Sequence, residues 1–341
     1  MKIAFIGGGN MASALIAGLA GKLTAGADIH VVDPNADALE RLRTQYGVTT
    51  ATAADADAAV AAADVIVLAV KPQSMRDVAA QLRPLIDTAR QPLVVSIAAG
   101  IRSADLARWL GYGAIVRCMP NTPALIGMGI TGMAATAGVS SQQKQAADDI
   151  LRAVGPTVWL DDEAQIDAVT AISGSGPAYV FYFIEAMQQA AKELGLSDEQ
   201  GTQLALATFA GAAQLATQSS EPVSLLRERV TSKGGTTYAA LTSMEQSGVK
   251  AAIVNGAKAA AARGKELGDE LGAAGYSVAR SALRFFNART PKNLLSPLRY
   301  SPTIDIHFHP PILKGDHHAS HRRHHSFPGP GCLLPGLIRL R

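Results

Sequence analysis

Over roughly the first third of the chain, short apolar runs alternate with stretches whose apolar positions recur at helical spacing. Residues 3–6, 29–32, 65–70, 93–97 and 114–118 read as strands, with 48–50 as a short addition. Between them, residues 11–21, 36–46, 55–63, 75–86 and 103–110 read as helices. Strands separated in this way imply βαβ units, because a parallel neighbour is reached only through a crossover of roughly a dozen residues or more. The run VIVLAV at 65–70 has no polar position, which suits a strand buried on both faces of its sheet. The expected class is α/β, with a doubly wound parallel sheet.

The texture changes after Trp159. Ala, Leu, Gln and Glu at helical spacing dominate from 166 to 271. Breaks at Gly174-Ser175-Gly176-Pro177, Gly195-Leu196-Ser197, Glu221-Pro222, Gly234-Gly235 and Ser247-Gly248 divide this stretch into four or five helices. Pro177 suits a first helical turn and Ser197 an N-cap. The boundary falls at the acidic turn Asp161-Asp162-Glu163, giving a sheet domain at 1–160 and an all-helical domain at 161–274. Alanine-rich helices with little aromatic mass make a thin core, so this domain is expected to associate with a second copy.

Charge separates a third segment. The net charge is +3, yet beyond residue 275 ten Lys and Arg face two acids, while the preceding residues hold 21 bases and 26 acids. Seven of the eight histidines and eight of the seventeen prolines lie in the same terminal stretch. Residues 275–341 therefore read as a basic, His/Pro-rich tail, irregular and solvated. Basicity that would invite a nucleic-acid partner belongs to this extension, not to the acidic body, so neither nucleic acid nor a resident metal is expected. Cys118 and Cys332 lack the CxxC spacing of a ligand pair. The start pairs one Lys with an apolar run, but three glycines and Asn10 interrupt it. No run reaches the roughly 18 apolar residues of a membrane span. A soluble, cytoplasmic protein is the expectation.

Candidate chemistry begins with Gly7-Gly8-Gly9-Asn10-Met11-Ala12, a G-x-G-x-x-A run that follows a strand and opens a helix. Gly7 permits the tight turn, Gly9 lets backbone approach a pyrophosphate, and Ala12 allows close packing of helix on strand. The N–H groups and dipole of the helix start then face anionic phosphates. Asp33 closes the second strand, where an acid hydrogen-bonds a ribose 2′-OH and repels a 2′-phosphate; alone it favours NAD over NADP. As a turn residue before Pro34 it would have no such role. Loops after later strands, Ala69-Val70-Lys71-Pro72, Ser96-Ile97-Ala98-Ala99-Gly100 and Arg117-Cys118-Met119-Pro120-Asn121-Thr122-Pro123, complete a Rossmann-type pocket. Lys71 reads equally well as a surface lysine.

In the helical domain, residues 173–179 and 230–237 each set hydroxyls and backbone N–H groups ahead of a helix. Such a loop receives a small carboxylate, or serves ordinary capping. The body holds one histidine, His30, inside a strand. Without a His acid–base for alcohol oxidation, the chemistry leans toward an imine, which arrives protonated and accepts hydride directly.

Together FIGGGNMA (5–12), LAVKPQ (68–73), SIAAGI (96–101), RCMPNTPA (117–124), WLDDEAQIDAVTAISGSGPAY (159–179) and RVTSKGGTT (229–237) resemble the pyrroline-5-carboxylate reductases, in family order and across residues 1–272. The resemblance implies reduction of the ring imine of 1-pyrroline-5-carboxylate to L-proline, the last step of proline biosynthesis, by NADPH or NADH. It implies cofactor contacts from Gly7, Gly9, Asn10, Met11, Ala69, Lys71, Pro72, Ala98 and Asn121, beside Asp33. Ser175, Gly176, Gly234, Gly235 and Thr236 would form the substrate pocket, with Ser232 and Thr237 as catalytic groups. The Thr237 hydroxyl would face the ring nitrogen and Glu221 would balance the iminium charge. Homodimers or larger homo-oligomers built through the helical domain are also implied. Three residues depart from the family: Lys233 replaces a usual proline, Ala56 a common adenine-contacting asparagine, and Asp33 conflicts with NADPH.

Two other function classes use the same residues. A dehydrogenase of the β-hydroxyacid type shares the domain order but calls for a lysine motif in the second domain, and Lys192 stands without one. A non-catalytic dinucleotide-binding regulator with a basic arm would bind cofactor without turnover.

Overall fold

The structure is a computed structural model that describes residues 1–54 and 57–273. Eight strands form one sheet: β1 (Ile3–Ile6), β2 (Ile29–Val32), β3 (Thr49–Ala51), β4 (Val65–Leu68), β5 (Leu93–Ser96), β6 (Ile115–Met119), β7 (Thr131–Ala135) and β8 (Thr157–Trp159). Their order is β3-β2-β1-β4-β5-β6-β7-β8, parallel except where β6 meets β7. Helices α1 (Asn10–Leu19), α2 (Ala36–Tyr46), α3 (Ala58–Ala61), α4 (Met75–Leu82), α5 (Ser103–Leu110) and α6 (Ser141–Arg152) cover both faces.

The pleat explains why these strands carry no polar face. Phe5, Val31, Val67, Val95 and Val116 pack with α1, α2 and α6, while Ala4, Ile66, Leu68, Val94 and Ile115 pack with α4 and α5. Each fully buried Ile or Leu contributes about 1.5–3 kcal/mol over an exposed one.

The helical half holds α7 (Gln165–Val169), α8 (Gly176–Glu193), α9 (Asp198–Gln218), α10 (Val223–Arg229), α11 (Thr236–Gln246) and α12 (Val249–Gly272). Ser197 caps α9 in a capping box with Gln200, and Pro177 stands in the first turn of α8. The long α12 returns to the sheet half, where Arg102 donates to Asp269 at 2.6 Å and Arg108 to the Gly272 carbonyl at 2.9 Å. Helix α7 presses on β7 so closely that a Cβ on Gly132 would lie 2.6 Å from Val169 Cγ1. By contrast α8, α10 and α11 bury no residue at all, and Tyr182 is 74% exposed. All described residues belong to one compact unit.

Several expectations need correction. The helix expected at 55–63 is only Ala58–Ala61, because Asp57 accepts the Ala59 and Val60 N–H groups and fixes the start there. Residues 55 and 56 lie outside the described residues, and with them the departure at Ala56; so does the tail. The helix expected at 75–86 stops at Leu82 and tightens into a 3₁₀ turn, Arg83–Leu85, at Pro84. Strand β4 ends at Leu68, not at residue 70. Among the described residues six helices follow the sheet, not four or five, and the expected break at residues 174–177 separates α7 from α8 through a π turn at Thr170–Gly174. Sequence reading also missed β7, α6 and β8.

Asp148 of α6 fastens that overlooked edge. Its carboxylate accepts the Thr157 hydroxyl at 2.5 Å, the Trp159 indole N–H at 3.2 Å and the Arg152 guanidinium. Burial pushes its pKa up, but the bonds from Thr157 and Arg152 outweigh burial and hold it below the usual carboxylate value. A depressed folded pKa means stability that is present above the unfolded value, near ~3.9, and lost as pH falls through the folded one. Asp148→Asn is expected to lower stability by about 1–3 kcal/mol at neutral pH. Thermal unfolding should show the gap to the parent protein closing below about pH 4; a gap that stays constant into acid would refute this assignment.

Candidate active site

The strand order turns around between β1 and β4, the place where open α/β sheets bind ligands beyond their carboxyl ends. There the Gly7 N–H donates to the Val32 carbonyl at 2.7 Å, Ala69 N–H to Ile6 at 2.8 Å and Ile97 N–H to Leu68 at 3.1 Å. Gly7 has φ +105°, and a Cβ on it would lie 2.6 Å from the Ala69 oxygen, so a side chain is excluded twice over. Gly9 is the N-cap of α1, whose first turn carries neither a side-chain cap nor an acid. The free N–H groups of that turn suit an anion.

Asp33 ends β2 as expected, and its carboxylate locks the glycine loop. One oxygen accepts the Gly8 N–H at 2.7 Å and the other the Asn35 N–H at 2.8 Å. Asn10 is exposed at the helix start, whereas Met11 packs against the core. Lys71 is exposed ahead of the Pro72–Ser74 turn, and Ala98 is buried after β5.

Asn121 follows β6 and joins the two halves. Its Nδ2 donates to the Ser173 carbonyl at 3.1 Å and its Oδ1 accepts the Ile130 N–H at 2.9 Å. It borders an open groove of about 500 Å³ whose opposite wall includes Ser173, Gly176, Pro177 and Tyr179. The loop ahead of α8, with Ser175 and Gly176, thus stands directly at the carboxyl end of the sheet.

The loop ahead of α11 stands apart from it. Gly235 N–H donates to the Ser232 carbonyl at 3.0 Å, which closes the turn through Lys233 and Gly234. Thr236 and Thr237 open α11 behind Gly235, with no side-chain cap. Thr231 and Tyr238 line a second groove, with Arg227 and Leu241. Glu221 is ion-paired to Arg229 across α10. Among the described residues no hydrogen bond links 173–179 to 230–237.

Sequence reasoning set Arg117 in a pocket loop and Glu163 in the boundary turn and missed their pairing; Arg117 lies inside β6. Arg117 is 4% exposed, and its Nη1 donates to Glu163 Oε1 at 3.0 Å. The available signal was a lone charge in the apolar strand IVRCM, since a buried guanidinium requires a carboxylate. Cys118 beside it is buried, and desolvation pushes its thiol pKa far up, which makes it a packing group. Among the described residues no cluster of three His, Cys, Asp or Glu is placed to hold a metal ion. No described helix is long and apolar enough to cross a membrane.

Residues 163–267 match the family described as pyrroline-5-carboxylate reductase dimerisation, and residues 2–100 the family described as NADP oxidoreductase, coenzyme F420-dependent. The chain is 47% identical over 272 residues to the pyrroline-5-carboxylate reductase of Pseudomonas aeruginosa, covering 80% of this chain and 98% of that relative. The chain belongs to the pyrroline-5-carboxylate reductase family. The Haemophilus influenzae reductase is 41% identical over 268 residues, 78% of this chain and 97% of that one. The solved Coxiella burnetii reductase superposes with a TM-score of 0.74 at 39% identity, covering 78% of this chain and 98% of that one. Plasmodium falciparum pyrroline carboxylate reductase, solved with NADP bound, gives 0.69 at 30% identity over 79% of this chain and 98% of that one.

A family dinucleotide fits the first loop: the turn at Gly7, the open space at Gly9 and the uncapped start of α1 form a cradle a Cβ would fill. Gly7→Ala is expected to weaken NADPH binding by about tenfold or more, because the loop must leave Ala69 to admit the methyl group. Fluorescence titration with NADPH measures this; an unchanged Kd in a folded variant would remove Gly7 from the site.

Proposed function

We propose that this protein reduces 1-pyrroline-5-carboxylate to L-proline by hydride transfer from NADPH, with NADH as the alternative donor, and that it works in the cytoplasm as a homodimer or larger homo-oligomer. The observation that carries this reading is the Asn121–Ser173 bond, which holds the loop of Ser175 and Gly176 at the mouth of the dinucleotide crevice. In this division residues 1–160 hold the cofactor, 161–274 the substrate and the partner copy, and 275–341 stand outside catalysis.

Bound nicotinamide supplies the hydride. Backbone N–H groups from Gly7 to Met11 hold the pyrophosphate, while Ala69, Lys71, Pro72, Ala98 and Asn121 flank the rest and Asp33 keeps the glycine loop in place. Helices α8 and α11 carry no acid in their first turns, so their positive ends remain available to the substrate carboxylate. Ser175, Gly176, Gly234 and Thr236 present N–H groups or hydroxyls to it, while Gly235 closes the turn through its bond to the Ser232 carbonyl. The Thr237 hydroxyl accepts the iminium N–H with Ser232 beside it, and Glu221 offsets the cation on leaving its pair with Arg229. As hydride reaches the ring carbon, the C=N π pair becomes the amine lone pair. Catalysis is then positioning and charge stabilisation.

Assembly follows from what the helices leave uncovered. Ile172, Tyr182 and Val223 are 67%, 74% and 68% exposed, and α8, α9 and α11 carry further exposed apolar side chains, Phe181, Leu204 and Met244 among them. Monomers rarely expose contiguous apolar patches beyond a few hundred Å². A second copy laid on this surface covers it and brings a second loop ahead of α11 to the groove beside Gly176.

Oxidation of NADPH and NADH is measured with pyrroline-5-carboxylate beside a hydroxyacid control, and turnover is expected with the imine alone. Turnover of the hydroxyacid, or cofactor binding without turnover, would replace this reading by one of the other two classes. Thr237→Ala is expected to lower kcat by roughly tenfold or more without changing NADPH affinity. Light scattering should give at least two chains per particle.

A further inference from the structure

One buried cation joins four elements where the sheet meets the helices. Along β6, Val116 and Cys118 face the core beneath α1 and α6, so Arg117 shares the opposite face with Ile115. Its Nη1 lies 3.0 Å from Glu163 Oε1 and its Nη2 3.9 Å from Asp167 Oδ1. The same Glu163 oxygen accepts the Ser103 N–H at 2.7 Å, at the start of α5, where the N-cap residue offers no side-chain acceptor. Asp167 in turn lies against α12, 3.7 Å from where a Cβ on Gly264 would stand.

The chain runs from this node straight to the substrate loop. Helix α7, which carries Asp167, passes into the π turn Thr170–Gly174, and the Ser175 N–H donates back to the Thr170 carbonyl at 2.8 Å. Asn121, on the same strand-to-loop segment as Arg117, holds the Ser173 carbonyl. The segment 163–173 is therefore tied to β6 and its following loop at both ends. Arg117 and Glu163 do not line the groove against Gly176.

We infer that Arg117, acting through Glu163 and Asp167, is a positioning residue that sets the register of the Ser175 and Gly176 loop against the cofactor crevice. A guanidinium is charged at every working pH and presents its donors in a rigid planar fork, so it fixes Glu163 in direction as well as distance, while Asp167, 3.9 Å away, is drawn by charge alone. Hydride transfer is sensitive to such placement, since a shift of about 1 Å at the reacting atoms costs about a hundredfold in rate.

The kinetic arm of the test rests on the imine-reductase reading; the structural arm does not. Arg117→Lys keeps the charge but removes the planar fork, and Glu163→Gln keeps the volume and one acceptor oxygen but removes the charge. They are compared with the parent protein well below each unfolding midpoint, by steady-state kinetics, NADPH titration and backbone hydrogen exchange. Expected is a fall in kcat of about ten- to a hundredfold, with the NADPH Kd within about twofold. Amides at 170–176 should exchange faster while β1 and β4 stay protected. Unchanged exchange at 170–176 overturns the inference whatever the kinetics. So does kcat within about threefold of an active parent, or protection lost evenly across the sheet, which marks a purely stabilising role. Should the parent fail to turn over pyrroline-5-carboxylate, the reductase reading falls, and exchange at 170–176 alone decides the register.

Discussion

A guanidinium buried inside a sheet is tolerated only where carboxylates meet it, because removing an isolated charge from water costs several kcal/mol. Arg117 imposes that condition on everything downstream of β6. The acidic turn that follows β8 must come back across the sheet to present Glu163, and α7 must begin there, pressed on β7 where Gly132 leaves room. Removing one partner of such a pair costs about 3–5 kcal/mol, whereas an exposed ion pair contributes about 0–1 kcal/mol. The Arg102–Asp269 pair, 38% and 53% exposed, belongs to the second kind. It secures the end of α12, while Arg117 and the Asn121–Ser173 bond tie the segment from Glu163 to Ser173 to β6 and its loop.

The cofactor half follows a different logic, built almost wholly from backbone. Gly7, Ala69 and Ile97 are placed by main-chain hydrogen bonds between neighbouring strand ends. Asp33 is the acidic side chain that locks its glycine loop. An ionised carboxylate has about four acceptor sites, and the Gly8 and Asn35 N–H groups use two of them. The lock on the glycine loop and the ribose contact read from sequence are therefore compatible. The locked carboxylate stays at the end of β2, where its charge opposes a 2′-phosphate, so whatever donor is used must meet that field.

Much of this was legible in the sequence because the signals were local. Helices α2 and α5 fall where periodicity places them, and the glycine fingerprint sits between a strand and a helix as its mechanics require. Ser140 and Gln143 carried an unread capping-box signal for α6. Strands β7 and β8 were less accessible: TGMAA is glycine- and alanine-rich, and TVW leaves Val158 and Trp159 partly exposed at the sheet edge. The break at residues 174–177 marked the start of α8, but the π turn ahead of it was not read from the sequence. The Arg117–Glu163 pair spans 46 residues, a separation at which composition and spacing say nothing about partners.

The two halves also differ in how complete they are within one chain. The sheet buries both faces and carries the loops after β1, β4, β5 and β6 along one edge. The helical half packs α7 and α12 against the sheet but leaves α8, α10 and α11 without a buried residue. Residues expected to meet one small carboxylate are thereby divided between a loop fixed to β6 and a loop fixed only to neighbouring helices. If both loops serve one substrate, the surface that stabilises the helices is the same surface that completes the pocket. Folding of the helical half and assembly of the catalytic site would then be a single, concentration-dependent event.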